Sequence, residues 1–166
     1  MSFSLVPRYE FKSLTDITPD FLEKIGVKFL MLDLDNTIAT YSSGKPSDGL
    51  MQWIADIKGA GVELFIVSNS IKKERVEAFA KNLGIGSIGG AKKPLPGGVL
   101  KAMEKTGFAA RESALVGDQI FTDTIAANSA GAVSIIVRPL SFKNPIFAFR
   151  FFLEKPFRAA CKNRKH

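Results

Sequence analysis

The chain has 166 residues, 46% of them hydrophobic, and a formal net charge of +7, enough for one domain with a real core and too few for two ordinary ones. Its single cysteine, Cys161, excludes an intrachain disulfide, and its single histidine, the terminal His166, excludes Ser-His-Asp catalysis, Cys-His catalysis and a histidine-based zinc site. Any chemistry must use carboxylates, lysine, hydroxyls or a hard metal, and a reducing, cytoplasmic compartment is expected.

The first residues, Met1 to Arg8, lack the apolar run of a signal peptide. The longest apolar stretches, such as 27–34, are far shorter than the ~20 residues of a membrane span. Residues 1–26 read as a lead-in to a domain over 1–140. Within it, Thr18-Pro19-Asp20 is a helix start, with a hydroxyl cap, proline at the first helical position and an acid in the first turn; Gly26 ends that helix. Residues 27–32 are nearly all apolar, as a strand buried on both faces should be, and run into Asp33-Leu34-Asp35-Asn36-Thr37. Pro46 and Ser47 open a helix with Leu50, Trp53, Ile54 and Ile57 at helical spacing, closed by Gly59 and Gly61.

A second strand, 62–67, ends at Ser68-Asn69-Ser70, and a helix over 72–82 carries Val76, Phe79 and Leu83 on one face. Ser87-Ile88 is a short strand, 96–106 a helix, 114–116 a strand ending at Gly117-Asp118, 122–130 a helix and 133–137 a last strand. Alternating strands and helices predict a three-layer, doubly wound α/β fold with about five parallel strands. The polar residues lie just past strand ends: Asp33 and Asp35, Ser68 and Asn69, and Asp118 with Asp123 nearby. In open α/β sheets that is where ligands bind, so three distant segments are expected to share one crevice.

Two carboxylates two residues apart at a strand end repel one another unless a cation compensates them. Oxygen-only donors point to Mg²⁺ rather than zinc. The bland alternative, capping of the next helix, suits one aspartate better than Asp-x-Asp-Asn-Thr after an apolar run. This run resembles the first motif of the haloacid dehalogenase (HAD) phosphatase superfamily. Val67-Ser68-Asn69, Lys92-Lys93-Pro94 and the segment from Gly117-Asp118 to Asp123 are similar to its second, third and fourth motifs, in order, across 27–137.

The resemblance implies a phosphomonoester hydrolase working through an aspartyl-phosphate. Asp33 would be the nucleophile and Asp35 the acid and base. Ser68, Asn69 and Lys93 would bind the transferring oxygens. Asp33, the Asp35 carbonyl and Asp118 would hold Mg²⁺, with Thr37 and Asp123 in support. Phosphoryl transfer is mostly positioning and charge neutralisation, which suits this set. The 33 residues from Asp35 to Ser68 and the 25 from Ser68 to Lys93 leave no room for an inserted lid, as in the capless subclass IIIA. Within that subclass the lead-in Asp16-Ile17-Thr18-Pro19 resembles the YqeG-like branch, which includes phosphatidylglycerophosphate phosphatases. A lipid head-group phosphate is the implied substrate.

Gly84-x-Gly86-x-x-Gly89 has the spacing of a dinucleotide fingerprint but follows a helix, so it reads as a helix end. Residues 141–166 hold seven Lys/Arg against Glu154 alone, and six of the fourteen phenylalanines. On a helix, Arg150, Glu154, Arg158 and Lys162 form a polar stripe opposite Phe149, Phe152, Leu153, Phe157 and Ala160, with Pro156 expected to kink or split it. Such a segment suits a membrane surface; alternatively its phenylalanines pack on the domain, or it binds RNA. Cys161 reads as an inert thiol. The rival functions are a soluble phosphatase for a small sugar or nucleotide ester, and a non-catalytic RNA- or protein-binding module that uses the tail.

Overall fold

Phe29 to Leu32 are all fully buried, and their side chains alternate between two separate cores. That alternation defines a sheet covered on both faces. The computed structural model describes residues 4–40, 45–143 and 145–163. Its sheet contains β1 (Tyr9–Glu10), β2 (Phe29–Leu32), β3 (Glu63–Val67), β4 (Gly86–Ile88), β5 (Ser113–Gly117) and β6 (Val133–Ile136). All pairings are parallel, in the order β1-β6-β5-β2-β3-β4.

Leu30 and Leu32 face one layer, with α1 (Pro19–Lys24), α2 (Asp48–Gly59) and α3 (Lys73–Leu83). Phe29 and Met31 face the other, with α4 (Gly97–Thr106) and α5 (Ile125–Ala130). The local signals act as expected. The Thr18 and Ser47 hydroxyls accept from the Phe21 and Leu50 amides and so cap α1 and α2. Gly84 ends α3 in the left-handed conformation, and Gly86 lies in β4, so the glycine-rich run is a helix end leading into a strand.

Three features differ from the expectation. The sheet has a sixth strand, β1, inside the lead-in; two residues are too short to show an alternating pattern, and the strand exists because it pairs with β6. Between β5 and α5 the chain makes a wide π-type turn over Ile120–Thr124 before regular helix begins. The tail forms one helix, α6 (Pro145–Ala159), which Pro156 does not split. Residues on both sides of that proline, Glu154 and Arg158, are bonded into the body of the domain.

The orientation of α6 is the larger surprise. Its charged stripe faces inward: Glu154 and Arg158 are buried and Arg150 is half-buried. Its apolar side faces outward, with Ile146, Phe149, Phe152 and Leu153 exposed at 64, 63, 60 and 45%. Phe157 packs edge-on against Phe121, but the reading in which all the phenylalanines pack on the domain does not hold.

Candidate active site

The strand order reverses between β2 and β5, and the loops leaving β2, β3 and β5 meet there. They surround a cleft of about 440 Å³ lined by Asp33, Asp35, Ser68, Asn69 and Lys93, with Arg75 and Arg150 also on its walls. Asp33 continues β2 by one step, donating its amide to the Val116 carbonyl at 2.9 Å. This fixes the acid at the end of the most buried strand pair.

Beneath the cleft, one carboxylate oxygen from each of Asp33, Asp118 and Asp123 lies within 4.8 Å of the others, and all three residues are buried. The Thr37 hydroxyl links two of them, lying 3.3 Å from Asp33 Oδ2 and 3.2 Å from Asp118 Oδ1. Gly117 makes room for the third: a Cβ there would sit 2.2 Å from Asp123 Cγ. Lys93 Nζ lies 2.6 Å from Asp33, 2.7 Å from Asp123 and 2.8 Å from the Val67 carbonyl. Burial alone would depress its pKa, but Asp123 and Asp33 more than offset this and hold the ammonium above its ordinary value.

One lysine does not neutralise three acids. Burial, with repulsion from Asp33 and Asp123, pushes Asp118 up to about 8. Burial outweighs the pull of Lys93 and raises Asp33 to about 6. A buried, all-oxygen set with uncompensated negative charge fits a hard divalent cation. Both folded pKa values lie above the 3.8 of an ordinary aspartate. The cation-free fold thus binds more protons than the unfolded chain between about pH 4 and about pH 8. These two groups therefore contribute stability at low pH that is lost as pH rises through that window. A cation must displace the same protons, so its stabilising effect grows with pH. The expected result is a larger Mg²⁺-induced rise in melting temperature at pH 8 than at pH 5; equal shifts would contradict the charge balance described.

Each residue expected at the site is found there, though not always with the expected partner. Asp35 points its carboxylate at Arg75 Nη1, 2.7 Å away. The acid beside Asp33 and Asp118 is instead Asp123, placed in support by sequence and here an equal member of the cluster. Ser68 is buried and its Oγ accepts the Ser70 amide at 3.0 Å. The Asn69 side chain brackets the Lys93 backbone, accepting from its amide at 2.7 Å and donating to its carbonyl at 2.8 Å. Asn69 thereby fixes the lysine loop. Lys92, by contrast, is exposed.

Sequence reasoning missed Arg75, the Asp35 partner, and Asn36, whose amide reaches Asp118 Oδ2 at 3.4 Å and the Ser141 carbonyl at 3.0 Å. Asn36 has a positive φ of 67°, a conformation asparagine tolerates better than most residues. It also missed Glu154 and Arg158, read as a surface stripe. Their spacing was visible in sequence, but the face they would turn inward was not.

A family model described as haloacid dehalogenase-like hydrolase matches residues 8–131. The chain is 30% identical to the probable phosphatase YqeG of Bacillus subtilis (strain 168) over 156 residues, 93% of this chain and 90% of that one. Among solved structures it resembles the cobalt-bound deoxy-D-mannose-octulosonate 8-phosphate phosphatase of Haemophilus influenzae, with a TM-score of 0.54 and 16% identity over 86% of this chain and 78% of that one. It also resembles the 3-deoxy-D-manno-octulosonate 8-phosphate phosphatase of Moraxella catarrhalis, solved with magnesium, phosphate and the sugar, with a TM-score of 0.52 and 19% identity over 90% and 82% of the two chains. At these identities the two structures speak for the fold.

Proposed function

The chain belongs to the haloacid dehalogenase-like hydrolases, and on that premise we propose that it is a Mg²⁺-dependent phosphatase for a lipid head-group phosphomonoester such as phosphatidylglycerophosphate. Asp33 attacks phosphorus, the bond to the alcohol oxygen breaks, and Asp35 protonates that oxygen. Asp35 then takes a proton from the water that attacks the aspartyl-phosphate, releasing phosphate and restoring Asp33. Ser68, the Asn69 amide and Lys93 hold the non-bridging oxygens. Asp33, Asp118 and the Asp35 carbonyl would hold Mg²⁺, with Thr37 and Asp123, which shares the carboxylate cluster, in support. When bound it supplies the positive charge that phosphoryl transfer needs.

The observation that carries the lipid reading is the orientation of α6. It presents Ile146, Phe149, Phe152 and Leu153 to solvent, while its own Arg150 lines the cleft. Leu140 and Phe142, on the approach to the helix, are exposed too. Exposed aromatic and aliphatic side chains in one patch mark a docking surface. Lys143 and Lys155 beside them favour an anionic one. Seated on a bilayer by this face, α6 would lie at the head groups with its Arg150 on the wall of the cleft. Among the described residues no helix is long and apolar enough to cross a membrane; on the proposed reading α6 lies on the bilayer surface. Of the tail's described arginines, Arg158 is buried and Arg150 half-buried, which takes both out of an open basic face for RNA.

The test is the double variant Phe149→Ser/Phe152→Ser. Withdrawing two phenylalanines from a bilayer contact costs about 1 kcal/mol or more each, so turnover of phosphatidylglycerophosphate in vesicles should fall by tenfold or more. Hydrolysis of soluble p-nitrophenyl phosphate should not change. Equal losses on both substrates, or no hydrolysis of the lipid by the wild type, would remove the lipid reading and leave a phosphatase for a small soluble ester.

A further inference from the structure

Thr37 and Asn36 bond the Asp118 side chain, and α6 holds the backbone of the same turn from the side opposite the exposed apolar face. Arg158 Nη2 donates to the Asp118 carbonyl at 2.5 Å, and its Nη1 lies 3.3 Å from both the Val137 carbonyl and Glu10 Oε1. Glu154 Oε1 accepts the Ile120 amide at 2.8 Å and the Phe121 amide at 3.3 Å. Arg150 bonds the Gln119 side chain. Residues 118–121 are thus each tied to α6. The Gln119 side chain does not cap the turn over Ile120–Thr124; Asp123 Oδ2 accepts the Gln119 amide at 3.1 Å, and the Ile120 and Phe121 amides turn to another partner. That partner is Glu154, from a helix 34 residues further along the chain.

Glu154 and Arg158 are 1% and 3% exposed, and buried ionised groups are costly unless bonded on several sides. Here the bonds converge on the backbone of one acidic turn. A carboxylate that must meet a cation at a fixed distance needs its backbone fixed first, and such supporting contacts govern metal affinity.

We propose that Glu154 and Arg158 are positioning residues for the cation site, holding the backbone of residues 118–121 so that Asp118 and Asp123 converge with Asp33. This rests on the reading of Asp118 as a cation ligand. It makes the C-terminal helix part of the active-site machinery, although the family match ends at residue 131. Removing the helix should then abolish hydrolysis of every substrate, lipid or not.

The experiment is calorimetric titration of full-length protein with Mg²⁺, for wild type, Glu154→Gln, Arg158→Lys and Asp118→Asn, with melting temperatures measured in parallel. Glu154→Gln keeps the size and one acceptor oxygen; Arg158→Lys keeps the charge but loses the fork. Each should weaken Mg²⁺ binding by about 10- to 100-fold, and raising Mg²⁺ should restore kcat, which general destabilisation would not allow. A folded Glu154→Gln or Arg158→Lys protein that binds Mg²⁺ as tightly as wild type overturns the proposal. If Asp118→Asn itself leaves Mg²⁺ affinity intact, the cation-site reading fails first, and the proposal falls with it.

Discussion

Asp33→Asn should abolish Mg²⁺-dependent phosphate release, with a loss of about four orders of magnitude or more, because the amide cannot form the acyl-phosphate. The substitution is close to isosteric, so shape is retained. Its effect on stability should be small or favourable. Burial raises the Asp33 pKa to about 6 despite Lys93, which means that the charged form is held at a cost near neutral pH. A neutral amide removes that cost and one source of repulsion on Asp118. Lys93 keeps Asp123 and the Val67 carbonyl as partners. The expected signature is therefore a dead enzyme that melts, without Mg²⁺, no lower than wild type at pH 8. A clearly lower melting temperature would show that Asp33 is chiefly structural. Residual activity within about a hundredfold of wild type would give the nucleophile's role to another group.

Lys93→Met should combine a catalytic with a structural loss. The Lys93 side chain is 1% exposed and bridges Asp33 and Asp123. Methionine fills similar space but leaves two buried carboxylates uncompensated, and breaking a buried pair in this way costs about 3–5 kcal/mol. The penalty should appear in chelator at pH 8 and shrink in acid, where Asp33 is neutral, or in Mg²⁺, where charge is restored. Phosphate release at saturating Mg²⁺ should fall by about 10²–10³-fold, the usual loss when one donor to a developing oxyanion is removed. Exposed Lys92 is the internal control, and Lys92→Met should change neither property much. A wild-type melting temperature for Lys93→Met in chelator at pH 8 would contradict the electrostatic account.

Much of this site was legible because its residues sit where strand periodicity stops. Asp33 follows a run of buried apolar residues, Ser68 follows β3, and Asp118 follows β5; alternation of strands and helices was enough to bring the three together. The resemblance to the family's third motif, with its lysine directly before the proline, favours Lys93 over Lys92, and the structure buries Lys93 and exposes Lys92. Less legible were contacts between elements far apart in the chain. Arg75 reaches Asp35 from α3, 40 residues away, and Arg158 reaches Glu10 across 148. No local pattern carries such pairings.

The tail shows a further limit. A helix with one charged and one aromatic side is legible from sequence, but ordinary burial preference would place the aromatic side inward. Here the Asp118 carbonyl and the Ile120 and Phe121 amides need partners, which a charged stripe satisfies and an apolar one cannot. The acidic turn therefore selects the charged side, and the apolar side is left outward. A short strand such as β1 was invisible for a simpler reason, since two residues have no period.

The most direct test of the central claim is to trap the covalent intermediate. Wild-type protein is mixed with substrate and Mg²⁺, quenched in acid within one turnover, digested, and the peptide containing Asp33 weighed. The account predicts a phosphoryl group on that peptide, localised to Asp33, absent when Mg²⁺ is chelated and absent from Asp33→Asn. Rapid phosphate release with no phosphoryl group on Asp33 at any quench time, or the group on another residue, would contradict it.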